Sequence, residues 1–584
     1  MRLPDICNHQ STTNMTAWLL VREKLLVAFL VLLSFLTAFP AVMTTLAPYD
    51  DQGYVMMTLK TFLQGESLYS ETHTQYGPAY YLLTGSLHDV MCIPLTQDGV
   101  RLKTIALWCV ATLLVYSILR RLETLPAVAF FFSGLFHLHL YKLALEPGHP
   151  QEWILVLSLL SFWLVVGNNR AKWFLAATLV GMIGMIKINC GLIFAIPLIV
   201  QSLLSTKSIA SRTTDVIMVI AGGACSAVAI CGITMAIGVP IEKIFWGLIG
   251  QHRGFANEFF HFVPMSTLSV AYTVLCMWAI YKTRNSNRSS GSHVLSHQYD
   301  WAKWRFGLTL AAVVVGTIHV VLDWSTPLVH GLEPRGAANW LILVGPVTSL
   351  WLLTMESPTR PYRHYIVLAT FLAPFMAYPT PGTQVSLGTA PGWIVLGLIT
   401  SAGIQSLITK LQAAREAVLS PTMCTAWTRQ AALLPAAVVL CLVSGSAAWY
   451  RWFSFSSLEL RGSRLLRLDP MIREREFKIV QAIKRTGCKH LVFDGHNHNR
   501  FFFWTETEPL TAANPTFWPR MLTADEQIRV ISSLQANGKV CMVIPPESDQ
   551  LASVRTRSVR QAFYKSWQEI DQIDNWKIGV TNSP

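Results

Sequence analysis

Two acids stand side by side in the stretch Ala47-Pro48-Tyr49-Asp50-Asp51-Gln52-Gly53-Tyr54, directly after the first long apolar run of the chain. Adjacent carboxylates resist ionising together, so one of them keeps its proton to higher pH unless a cation neutralises the pair. Asp50 and Asp51 are therefore candidates for proton transfer, or for holding a metal ion. The blander alternative is a solvated loop or a helix cap, because Asp ahead of a helical pattern is a good N-cap. A second polar cluster, Glu146-Pro147-Gly148-His149-Pro150-Gln151-Glu152, sets a carboxylate and an imidazole in a Pro/Gly turn. Glu146 and His149 there can hydrogen-bond ligand hydroxyls or ligate a metal, or simply be interfacial turn residues. Lys187, in Met185-Ile186-Lys187-Ile188-Asn189, interrupts a long apolar stretch. Ionisable residues in such a setting default to a functional hypothesis, the alternative being a snorkelling residue that marks a helix end. Arg253 in Gln251-His252-Arg253-Gly254 and Arg335 in Glu333-Pro334-Arg335-Gly336 complete the set.

The elements that must position these residues belong to a membrane protein. Of the 584 residues, 52% are hydrophobic and only 14% charged, and the mean hydropathy is +0.39, which excludes an ordinary soluble globule. The formal charge of +13 comes from short basic clusters between apolar runs, as membrane topology requires, so nucleic acid is not expected as a partner. Eleven cysteines are scattered with no C-x-x-C spacing and read as small core hydrophobes. The first apolar run has no clear cleavage site and reads as a retained anchor.

A membrane helix needs about 20 apolar residues. On that rule the chain carries about thirteen spans, at roughly 25 to 46, 103 to 119, 124 to 143, 150 to 167, 173 to 186, 189 to 204, 215 to 237, 265 to 281, 306 to 322, 338 to 355, 364 to 378, 391 to 409 and 431 to 450. The segment from Tyr76 to Leu83 is apolar enough to open another. If it spanned, the clusters Arg120/Arg121 and Arg170/Lys172 and every later one would change sides, against the positive-inside rule. It is therefore expected as a non-spanning, Tyr-rich interfacial helix. The loops 47 to 102, 144 to 149, 238 to 264, 323 to 337 and 379 to 390 then share the outer face, and nearly every polar candidate lies in them. After about residue 450 the composition turns charged. Residues 471 to 486 and 523 to 536 read as helices, and 490 to 494 and 539 to 544 as strands. The expected fold class is a polytopic α-helical membrane protein with a small C-terminal α/β soluble domain. Its two parts are residues 1 to 450 and an extracytoplasmic domain, 451 to 584.

The acidic pair is followed by Gln75-Tyr76-Gly77-Pro78-Ala79-Tyr80-Tyr81, and here the sequence resembles the GT-C class of integral membrane glycosyltransferases. Within that class it is similar to the protein mannosyltransferase, aminoarabinose transferase and RgtA/B/C/D-like groups, which carry an Asp-Asp or Asp-Glu pair in the first external loop and then an aromatic-Pro segment. The likeness runs over about the first 200 residues and becomes diffuse beyond them. It implies a GT-C-like membrane domain with a catalytic external loop at 47 to 102, and transfer of a sugar from a polyprenyl-phosphate donor. Such transfer needs a base for the acceptor hydroxyl and cations or dipoles for the departing phosphate. By the resemblance Asp50, the first acid of the pair, is the candidate base, with Asp51 as the runner-up or as the residue that orients the acceptor or a metal. Glu146 and His149 fall where relatives keep an acidic residue near the site. Lys187 and Arg335 match positions that face the donor phosphate, as a point charge and a bidentate fork respectively. Tyr76, Tyr80 and Arg253 join them as donor-binding candidates. A divalent metal ion is a candidate cofactor, with Asp50 and Asp51 as its ligands if present.

Besides the donor and membrane lipids, the expected partner is an acceptor glycan, lipid or protein at the outer face of the inner or plasma membrane. A transporter would instead need mid-bilayer charges and paired broken helices, and Asp, Glu and Arg are almost absent from the spans. A non-catalytic assembly factor would leave the acids of the outer loops without a reason. In the tail, His496-Asn497-His498 looks metal-like but has no third ligand, and reads as a strand-end turn.

Overall fold

The structure, a computed structural model, describes residues 7–47, 50–167, 170–204, 208–250, 265–289, 294–325, 336–355, 360–378, 382–416, 433–494, 498–511, 524–546 and 557–582. Arg253, Arg335 and His496 lie outside the described residues.

Long runs of Leu, Val, Ile and Ala satisfy their backbone polar groups internally as helices, the form that hydrocarbon tolerates. Eight helices among the described residues are long and apolar enough to cross a membrane: Val21–Met43, Gln97–Arg121, Pro126–Leu145, Ile209–Ala236, Lys303–Ser325, Ala337–Thr354, Gln384–Thr409 and Leu433–Ser454. Three shorter apolar helices accompany them, Gln151–Val165, Ala171–Ile186 and Ile188–Leu203. The chain is an integral membrane protein. The expected span at 364 to 378 is not one helix. Arg363–Leu372 gives way to the 3-10 turn Ala373–Ala377, because Pro374 has no N–H to continue the ladder.

Small residues let the shorter helices approach closely. A side chain on Gly191 would strike the backbone of Gly184, and one on Gly222 would strike the Phe174 carbonyl. The first contact folds Ala171–Ile186 back on Ile188–Leu203 and leaves Lys187 at the apex, extended at φ −153°. The Tyr-rich segment is the 13-residue helix Pro78–Val90, about 20 Å long, which falls short of a hydrocarbon core of about 30 Å. Pro78 opens it, and Tyr80, Tyr81, Thr84 and Gly85 are buried.

After Ser454 the chain forms the small α/β domain. Its short strands β1 (Ser456–Ser457) and β2 (Arg467–Leu468) pair antiparallel. A five-stranded sheet follows, made of β3 (His490–Phe493), β4 (Glu508–Pro509), β5 (Lys539–Ile544), β6 (Trp567–Ile573) and β7 (Trp576–Asn582), in the order β4-β3-β5-β7-β6. Strand β3 runs parallel to β4 and β5, and β7 runs antiparallel to β5 and β6. The amphipathic helix Pro470–Thr486, capped by Asp469 and ended by Gly487 at φ 68°, buries Ile479 and Ile483 with Leu491, Phe501, Trp504 and Ile578.

That apolar cluster also takes in Met57, from the helix Asp51–Leu63. A second tie joins the tail to the start of the helix Gln97–Arg121. Asp98 accepts from the Arg464 and Leu465 backbone N–H groups at 2.7 and 3.1 Å, and Ser463 donates to Gln97 at 2.7 Å. The acidic segment is thus held between the helix bundle and the α/β domain.

Candidate functional site

The two acids, neighbours in sequence, point to different partners. Asp50 is the N-cap of the helix Asp51–Leu63 and is buried. One carboxylate oxygen accepts from the Gly53 N–H at 2.9 Å, and the other from the Arg500 N–H of the tail at 2.6 Å. Burial pushes its carboxyl up to about 6, while the Arg500 charge and both N–H donors work the other way. Asp51 is half-buried and turns toward the second cluster. Ligand atoms of Asp51, Glu146 and His149 all lie within 4.8 Å of one another. Burial, then the negative charges of Glu146 and Asp50, raise the Asp51 carboxyl well above the usual carboxylate range.

The turn that carries Glu146 and His149 is built by hydrogen bonds. Gly148 adopts φ 83°, and a side chain there would overlap Val100. Its N–H is shared between Thr104 Oγ1 at 2.9 Å and Glu152 Oε1 at 2.8 Å, and its carbonyl accepts from the Tyr80 hydroxyl at 2.9 Å. Behind it, Lys103 approaches Glu152 at 3.9 Å with both side chains buried. Glu146 Oε2 accepts from Thr383 Oγ1 at 2.6 Å.

His149 stacks edge-on against Tyr76, and its Nε2 lies 2.5 Å from the Tyr76 hydroxyl. The Gln151 N–H approaches His149 Nδ1 at 3.3 Å, which makes Nδ1 the acceptor and assigns the ring proton to Nε2. Burial, with Lys187 and Lys103 nearby, lowers the imidazole to about 3, so the ring is neutral. Tyr76 is held in turn: its carbonyl accepts from Tyr69 at 2.9 Å, and the next residue, Gly77, donates to the Ile186 carbonyl at 2.9 Å. Ile186 precedes Lys187, whose Nζ donates to Gln384 Oε1 at 2.7 Å. Consecutive residues Thr383 and Gln384 therefore hold Glu146 and Lys187, bringing a cation beside the carboxylates.

Of the residues expected from the sequence, Asp51, Glu146, His149, Tyr76, Tyr80 and Lys187 meet in one place. Asp50 adjoins them but spends its carboxylate on the cap and the tail. Residues that the sequence reading did not single out are Thr383, Gln384, Gln52, Arg101 and Arg500. Arg101, buried, donates to the carbonyls of Val42 and Thr45 and to Gln52 Oε1, which ties the end of the first span to the acidic segment. A basic residue five positions into the Gln97–Arg121 helix is the signal for it in the sequence.

Two carboxylates and an imidazole suit a divalent ion such as Mg²⁺ or Mn²⁺. Ligands around one ion at roughly 2.1 to 2.5 Å are at most about 5 Å apart, and the observed spread fits that limit.

No family model matches the chain, and no curated protein matches it. Among solved structures it is similar to the aminoarabinose transferase ArnT of Cupriavidus metallidurans bound to undecaprenyl phosphate. The TM-score is 0.52 at 12% identity, over 97% of this chain and 98% of that one. It is also similar to the Archaeoglobus fulgidus oligosaccharyltransferase tethered to an acceptor peptide, with TM-score 0.49 and 11% identity over 96% of this chain and 74% of that one. At 12% identity the likeness shows a shared overall fold with that ArnT structure.

Proposed function

We propose that this GT-C-fold chain transfers a sugar from a polyprenyl-phosphate donor to an acceptor hydroxyl, with Asp51 as general base. The observation that carries the reading is the meeting of Asp51, Glu146 and His149 within 4.8 Å, with Lys187 held next to them. The base is assigned to Asp51 rather than Asp50 because both Asp50 oxygens already accept short hydrogen bonds from backbone N–H groups.

In the transfer, an Asp51 oxygen takes the proton of the acceptor hydroxyl as that oxygen attacks the anomeric carbon. The bond from that carbon to the phosphate oxygen breaks, and attack from the opposite face inverts the centre. Lys187 supplies positive charge for the released phosphate, joined by Arg335 and Arg253 as further phosphate ligands. Tyr76 and Tyr80 hold the turn of Glu146 and His149 through their hydroxyls. A divalent cation held by Asp51, Glu146 and His149 would keep Asp51 ionised at neutral pH and add charge for the departing phosphate. An ion entering there takes one His149 nitrogen from its present partner.

The site and the tail are assigned to the extracytoplasmic side of the inner or plasma membrane, as the positive-inside rule supports. The lipid tail of the donor requires an apolar groove between the helices, and the acceptor is a glycan, lipid or protein outside. The test is incubation of the purified protein in detergent with a panel of radiolabelled polyprenyl-phosphate sugars and envelope acceptors. Catalytic transfer of label supports the proposal. Stoichiometric binding without product across the panel would favour a lipid or glycan transporter, or an assembly factor.

A further inference from the structure

The α/β tail has no part in that chemistry, yet one of its residues reaches the acidic segment twice. Arg500 donates its backbone N–H to Asp50 Oδ2 at 2.6 Å, and its guanidinium approaches the Ala47 carbonyl at 3.4 Å. It therefore straddles the turn that leads from the first membrane helix into the helix Asp51–Leu63. Arg500 is 2% exposed, and its charge is met inside the tail by Glu476, 0% exposed, at 3.3 Å. Burial works against the Glu476 charge, but Arg500 and Arg475 beside it outweigh that and hold the carboxyl below its usual range.

A buried ion pair is a weak device for stability, because desolvation consumes most of what the charges gain. Its best use is to specify one geometry. Here the approach is close: a side chain on Gly53 would collide with both the Asp50 carboxylate and the Arg500 nitrogen. Met57, one helical turn beyond Gly53, packs into the tail's apolar cluster, and Lys60 lies over the Phe503 ring at 5.9 Å. One face of the Asp51–Leu63 helix is thus fixed by the tail, while Asp51 itself faces the Glu146–His149 turn.

We propose that the C-terminal domain is a positioning element of the transfer site. Arg500, held by Glu476, clamps Asp50 and the start of its helix, and so sets the direction in which Asp51 presents its carboxylate. This rests on the reading of Asp51 as the base. Arg500 and Glu476 touch no reacting atom and act through Asp50.

The test uses the full-length protein in detergent, with three variants: R500M/E476Q, which removes both buried charges together and so avoids stranding either, R500K, and E476Q. Two readouts separate the clamp from the chemistry. In hydrogen–deuterium exchange, R500M/E476Q is expected to speed the amides of residues 53 to 57 by roughly tenfold while β5 keeps its protection. In transfer assays its kcat falls by roughly tenfold or more with the donor KM within about threefold, since misdirection of a base costs the chemical step rather than binding. R500K, which keeps the charge opposite Glu476, recovers part of the kcat, and E476Q falls between the two. Unchanged exchange at 53 to 57 in the double variant overturns the clamp, whatever the turnover. Faster exchange with parental kcat, or a loss confined to KM, overturns the positioning role. A parent protein with no turnover on any donor overturns the functional reading instead, and the exchange arm then decides the clamp.

Discussion

The Asp50 carboxylate accepts the Arg500 backbone N–H at 2.6 Å across 450 residues of sequence, so the acid next to the candidate base is committed to joining two domains. Its ionisation is then a matter of folding. Burial raises its folded pKa to about 6, against about 3.9 for an unfolded Asp. A group raised in this way favours folding below the unfolded value, and the contribution is lost as pH rises through about 6. The groups facing it are Arg500, Glu476, Asp51, Arg101 and the Gly53 N–H. The melting temperature of the parent relative to D50N is therefore expected to fall between pH 4 and about 6.5 and then level off, by the equivalent of roughly 2 to 3 kcal/mol. A difference that is flat over that range contradicts the assignment.

Metal binding follows from the triad. Mn²⁺ bound to the purified protein, followed by electron paramagnetic resonance, is expected to weaken by roughly 10- to 100-fold in H149A and in E146Q. The imidazole stays neutral down to about 3, so the pH dependence of binding above that follows the raised Asp51 carboxyl rather than His149. Chelation should lower transfer, and added Mn²⁺ should restore it. Equal Mn²⁺ affinity in parent and H149A would remove the triad as the site.

Gly148 is predicted to resist replacement. Its φ of 83° and the Val100 side chain beside it both exclude a β-carbon. G148A is expected to cost about 1 to 3 kcal/mol of stability in thermal melts and to lower transfer by moving His149. Adding V100A should relieve the overlap but leave the backbone strain, and so recover only part. Full recovery would show that the backbone angle has no importance there.

Lys187 is tied to Gln384 and stands next to Glu146. K187M should lower kcat/KM for the polyprenyl-phosphate donor by roughly 100-fold, with K187R intermediate. An unchanged kcat/KM in K187M would make the lysine a helix-end marker only.

Much of this molecule is legible in its sequence, and the illegible part has physical reasons. Apolar runs announce their helices because hydrocarbon forces every backbone group to pair locally. The tail helix Pro470–Thr486 and strands β3 and β5 follow from amphipathic spacing and short apolar runs. Strands β6 and β7 do not, because the irregularity between Glu569 and Asp571 and the glycine Gly579 break their alternation, and β7 is fixed only by pairing with β5 and β6. The break at Pro374 is carried by one proline within an otherwise apolar run, which a composition-based span count passes over. At the site, residue type and the outer-loop pattern single out Asp51, Glu146, His149 and Lys187. The division of labour within the acidic pair is invisible locally, since Asp50 and Asp51 differ only in what reaches them from Arg500 and from the Glu146 turn. Thr383 and Gln384 are ordinary turn residues until folding puts them beside a carboxylate and an ammonium.

The most direct test of the account is single-turnover transfer from the active polyprenyl-phosphate sugar by D51N and by D50N, each checked for an intact fold. D51N is expected to lose at least roughly 100-fold in the transfer step, and D50N, which weakens only the clamp, roughly tenfold. A D51N protein that transfers at the parental rate, beside a folded D50N that does not, would contradict the account and return the base to Asp50.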